Sequence, residues 1–138
     1  MTRRAQLGMA MFLIAETVFF FLLILAFRYF APTPYLSSRN GWILSVLLLS
    51  SALAMWRAVS GSRLWINVTI VLGAAFLAGL LAVSSSALTG IHGLHILAGL
   101  VALALVPASA LRAMALYWYF LTAVWLAIFL AVYMGGAA

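Results

Sequence analysis

The chain of 138 residues holds one acidic side chain, Glu16, and two histidines, His92 and His95, with no cysteine to join them. At positions i and i+3 of a helix the two imidazoles share a face, and Gly99 and Ala102 continue the same stripe. A metal ion takes three or four ligands. Glu16 would be a third, but there is no fourth, so metal binding is disfavoured. A heme held by two axial ligands needs them on opposite sides of its plane, and two side chains pointing the same way cannot clamp it. No nucleophile, base and orienting acid can be assembled, because no second carboxylate exists. The glycines lie scattered and no lysine follows them, so no phosphate loop is present. These residues are therefore expected to hydrogen-bond and pack, with no heme, copper or other redox cofactor bound by this chain.

The elements that carry them are set by composition. Hydrophobic residues make up 69% of the chain and charged ones 6%, where a soluble domain has about 25% charged. That excludes a water-soluble globule and a disordered segment. Seven arginines against one acid give +6. Because the arginines are scattered along an apolar chain, they read as topology markers beside a membrane, not as a nucleic-acid surface. A spanning helix needs roughly 20 apolar residues, and five stretches qualify: about 7–30, 42–59, 64–84, 88–106 and 114–134. Turn chemistry separates them at Ala31-Pro32-Thr33-Pro34, Ser60-Gly61-Ser62, Ser84-Ser85-Ser86 and Pro107. The first stretch is too long for the core of a signal peptide and contains Glu16, so it reads as a retained helix. The expected fold is all-α, a single polytopic bundle of five transmembrane helices.

With the N-terminus inside, Arg3, Arg4, Arg57, Arg63 and Arg112 fall on the inner side and Arg28 and Arg39 on the outer side. This bias places the C-terminus outside. Arg28, Arg57 and Arg63 are candidates for lipid headgroup contact. Glu16 then lies about 15 Å from the inner surface and His95 about 20 Å from it, whereas His92 is some 4–5 Å farther out. Glu16 is thus expected to be protonated or hydrogen-bonded and to face His95 or a neighbouring subunit. A proton relay needs more polar steps than the chain supplies. Tyr117, Trp118, Tyr119 and Tyr133 read as an interfacial aromatic belt. Ala75 and Gly79 form a small-xxx-small packing pair.

Four motifs in order give a family resemblance over essentially the whole chain. Ala15-Glu16-Thr17-Val18-Phe19-Phe20-Phe21 resembles the Ser-Glu-x-x-Phe-Phe helix of subunit III of the heme–copper respiratory oxidases. Phe27-Arg28-Tyr29-Phe30-Ala31-Pro32 resembles the exit of that helix, and the stretch Trp42 to Ser51 resembles the next one. Thr89-Gly90-Ile91-His92-Gly93-Leu94-His95 is similar to the family's Thr-Gly-x-His-Gly-x-His signature, the most specific of the four. Tyr117-Trp118-Tyr119-Phe120 with Val124-Trp125-Leu126 resembles the last helix. There the family usually has Trp-His-Phe-x-Asp, and Tyr119 and Thr122 stand at its His and Asp positions.

The resemblance implies a five-helix form of cytochrome c or quinol oxidase subunit III, and carries Glu16, His92 and His95 over as its polar residues. It implies a non-catalytic subunit of an aerobic respiratory electron-transport complex in a bacterial-type cytoplasmic membrane. Such a chain packs on the catalytic subunit I, with subunit II and further membrane subunits nearby, and holds phospholipid. Heme and copper reside in the partner subunits. The alternatives are an accessory subunit of nitric-oxide reductase and a small structural or transport membrane protein. Against transport stands the lack of an inverted repeat, broken helices or a charged pathway.

Overall fold

In hydrocarbon every backbone N–H and C=O must be satisfied within the chain, which leaves helices as the local solution for these apolar stretches. The computed structural model describes residues 3–30, 38–61, 64–83, 87–105, 107 and 110–130, excluding the side chains of 28, 30, 38–40, 83 and 87–89. Among the described residues five helices follow one another: α1 (Arg3–Phe30), α2 (Ser38–Ser60), α3 (Leu64–Val83), α4 (Ala87–Leu105) and α5 (Leu111–Ile128). Among the described residues there is no strand. Among the described residues four helices, α1, α2, α3 and α5, are long and apolar enough to cross a membrane.

The helices α1, α2 and α5 start earlier than the apolar ruler places them, at Arg3, Ser38 and Leu111 instead of Leu7, Trp42 and Met114. That ruler counts only apolar residues, whereas a helix continues into the headgroup layer, where long basic side chains reach water. The expected end of the last helix at 134 lies outside the described residues, as do Tyr133, Arg63 and the breaks at 31–34 and 84–86.

Helices α2, α3, α4 and α5 close a four-membered ring in which α2 packs on α3, α3 on α4, α4 on α5 and α5 back on α2. Helix α1 lies outside this ring, against α5 and to a lesser extent α4. Only 6% of its most apolar window is buried, against 44% in α5. Phe20 is its one buried side chain among the described residues.

The ring is centred on two tryptophans of α5. Trp118 and Trp125 are both fully buried. The Trp118 indole N–H donates to Ser51 Oγ at 2.9 Å, and the Trp125 N–H to Ser45 Oγ at 3.0 Å. Each serine hydroxyl in turn donates to a carbonyl of its own helix, Ser51 to Leu48 and Ser45 to Gly41. The buried hydroxyls thus have partners before α5 is considered. A serine pair six residues apart on α2 and a tryptophan pair seven apart on α5 fix the register of these helices.

Close approach to Trp118 requires glycine on two sides. A Cβ on Gly73 of α3 would come within 2.7 Å of its ring, and one on Gly99 of α4 within 3.0 Å. Trp118 is therefore not a belt residue, as its neighbours Tyr117 and Tyr119 suggested, but the central wedge of the bundle. The small-residue pair of α3 also needs correcting. Gly79 does face α2, where a Cβ would meet Leu44 at 2.9 Å, but Ala75 is exposed. The buried face of α3 runs through Gly73, Phe76 and Leu80.

Candidate functional site

The three residues with acid–base or ligand chemistry lie where α1, α4 and α5 meet. Glu16 is midway along the 28-residue α1, about 20 Å of helix from either end. Its Oε2 is 2.8 Å from His95 Nε2 across the α1–α4 seam. Both side chains are 21% exposed. The other nitrogen of His95, Nδ1, lies 2.9 Å from the Ile91 carbonyl oxygen one turn back.

This geometry fixes a proton count. A carbonyl can only accept, so Nδ1 of His95 carries a hydrogen. Nε2 and Oε2 then lie at hydrogen-bond distance, and that contact also needs one proton. Either a protonated carboxyl donates to a neutral imidazole or an imidazolium donates to a carboxylate. In both forms the pair has zero net charge, which meets the main cost of placing ionisable groups in hydrocarbon. The Tyr117 hydroxyl donates to the His95 carbonyl at 2.9 Å, and the Phe20 ring stands edge-on to the imidazole at 4.9 Å.

His92 sits one turn away and is fully buried. Its Nε2–H donates to the Leu121 carbonyl of α5 at 3.0 Å. The lone pair on Nδ1 has no partner among the described residues. Phe20, Phe76 and Trp125 surround the ring with centroids 5.9–6.1 Å away. The two histidines share a face of α4, yet one ties α4 to α5 and the other ties α4 to α1. Gly99 continues the stripe by admitting Tyr117 and Trp118.

With His95 committed to Glu16 and His92 to a backbone carbonyl, these residues do not fit a heme or copper ligand set. No group of three metal-ligating side chains occurs among the described residues. Of the headgroup candidates, Arg57 is exposed, and its guanidinium lies 5.9 Å from the ring centres of both Trp56 and Trp65. Arg63 and the side chain of Arg28 lie outside the described residues. Sequence reasoning missed Ser45, Ser51, Trp118 and Trp125. The similar spacings of the serines and tryptophans, six and seven residues, were the signal available.

No family model matches the chain. Among curated proteins, cytochrome c oxidase subunit 3 of Synechocystis sp. is 29% identical, over 92% of this chain and 74% of that protein. The chain is similar to oxidase subunit 3. The likeness extends to both electron-donor types. Cytochrome c oxidase subunit 3 of Corynebacterium diphtheriae is 30% identical over 66% of this chain. Subunit 3 of the cytochrome bo(3) ubiquinol oxidase of Pseudomonas aeruginosa is 32% identical over 67% of it. The matched region spans 63% and 62% of these two oxidase subunits, less than two thirds of each.

Proposed function

We propose that this chain is a subunit 3 of a membrane-bound heme–copper terminal oxidase. It packs on the catalytic subunit I near subunit II, stabilises that complex and holds phospholipid, without carrying out oxygen reduction itself. The observation that carries this reading is the similarity to oxidase subunit 3 over 92% of the chain. The committed hydrogen bonds of Glu16, His92 and His95 support it, since they leave structural chemistry and no vacant ligand set. Heme and copper belong to the partner subunits. The N-terminus is inside and the C-terminus outside, an orientation that the arginine bias supports. Arg57, Arg28 and Arg63 contact lipid headgroups. At Arg57 the flanking indoles hold the guanidinium at a membrane surface by cation–π attraction.

Gentle detergent purification of the chain from its native membrane tests this. A heme-bearing large subunit should co-purify and give a reduced-minus-oxidised heme spectrum. Removing the chain should leave initial oxygen reduction nearly intact but shorten the working life of the complex. Purification without a heme-bearing partner overturns the reading, as does immediate loss of turnover with subunit I intact.

A further inference from the structure

Arg57 stands in the last turn of α2, where the Gly61 N–H donates to the Arg57 carbonyl at 3.0 Å and the helix ends. The 23 residues of α2 span about 35 Å, slightly more than the hydrocarbon core, so Arg57 falls at headgroup level. Its guanidinium lies 5.9 Å from the ring centres of Trp56 and of Trp65, the second residue of α3. The arginine and both indoles are exposed. Among the described residues the guanidinium has no hydrogen bond or ion pair. The chain holds no carboxylate side chain to give it, because the single acid, Glu16, is bonded to His95 at the middle of α1.

We propose that Arg57, held by Trp56 and Trp65, is a phosphate site that selects anionic phospholipids over zwitterionic ones. The inference rests on the reading that Arg57 meets lipid headgroups, and it adds which headgroups. Indoles settle at the membrane–water interface, and their cation–π contacts keep the guanidinium there instead of letting it sweep through water. The fork of N–H groups at the edge of the guanidinium then meets two phosphate oxygens at once. A zwitterionic headgroup brings an ammonium as well, and no carboxylate stands near Arg57 to receive it. Aromatic rings can cage a choline ammonium, but both indoles here already serve Arg57. A headgroup with a phosphate and no ammonium, as in phosphatidylglycerol, is what the site fits. One basic side chain at the surface favours anionic lipid about fivefold.

The test reconstitutes the full chain in phosphatidylcholine vesicles and adds lipid brominated high on its acyl chains, which quenches nearby indoles. The brominated lipid is either phosphatidylglycerol or phosphatidylcholine. Trp118 and Trp125 are fully buried, and a Trp42→Phe background removes the third exposed indole, so quenching reads Trp56 and Trp65. Association of the phosphatidylglycerol should exceed that of the phosphatidylcholine about fivefold. Arg57→Gln should bring this ratio near one. Arg112→Gln, which removes the same charge from an exposed position at the start of α5, should leave it nearly unchanged. A ratio near one in the unaltered chain overturns the proposal, as does an equal fall in both variants, the mark of general surface charge. Inorganic phosphate and sodium chloride at equal ionic strength should act alike. A preference abolished by phosphate alone assigns the site to the free anion and also overturns the proposal. The vesicles hold no other protein, so this inference stands or fails separately from the co-purification of a heme-bearing subunit.

Discussion

Gly73→Ala adds one methyl group where α3 meets the central Trp118. Its carbon would lie 2.7 Å from Cη2 and 2.8 Å from Cζ2 of Trp118, and 3.0 Å from Leu100. The indole cannot withdraw, because Gly99 of α4 bounds it on another side and its N–H is bonded to Ser51 of α2. Overpacking of this kind costs about 1–3 kcal/mol, while alanine gains about 1 kcal/mol over glycine inside a helix. The net expectation is a loss of about 0–2 kcal/mol. Gly8→Ala and Gly90→Ala are the controls, since a Cβ at either position meets nothing within 4 Å. Those variants should be neutral or stabilising, by up to about 1 kcal/mol. The assay is unfolding in mixed micelles, followed by circular dichroism against denaturing detergent. The decisive arm repeats Gly73→Ala in a Trp118→Phe background, where the clashing Cη2 and Cζ2 atoms are gone. There the alanine should become neutral or stabilising. A cost that is the same with tryptophan and with phenylalanine at 118 would refute the wedge.

Two further outcomes are expected. Glu16→Leu and His95→Leu should each lower the thermal-inactivation midpoint by an amount equivalent to about 1–3 kcal/mol. The double variant should fall short of the sum by about 0.6 kcal/mol or more; strict additivity would mean that the two do not hold each other. Ser45→Ala should cost about 1–3 kcal/mol because it removes the described hydrogen bond of the buried Trp125 N–H. Trp125→Phe should make that same serine substitution much cheaper, and an unchanged cost in detergent titration would count against the bond.

The number and order of the helices were legible because a bilayer imposes one length on every span. That Glu16 and His95 stand at a similar level was legible because residue count converts to height, and the structure brings them within 2.8 Å. Which face of each helix points inward was not. When nearly every residue is apolar, the periodicity that marks a buried face in a soluble helix has little contrast. Trp118 was therefore grouped with the surface tyrosines, although it is fully buried, and Ala75 was placed in an interface although it is exposed. The common face of His92 and His95 was readable, but their separate partners were not. Those partners depend on where α1 and α5 stand around α4, which is a tertiary choice.

The position of α5 bears on how the protein is made. It packs against α1, α2 and α4, yet it follows all of them in the chain. During synthesis the earlier helices must enter the bilayer and wait. Ser45 and Ser51 can wait at little cost, because their hydroxyls already bond within α2. His92 cannot, since its described hydrogen bond is to the Leu121 carbonyl. A nascent chain halted before α5 would thus leave both ring nitrogens of His92 without these partners inside the membrane, where the finished bundle satisfies Nε2.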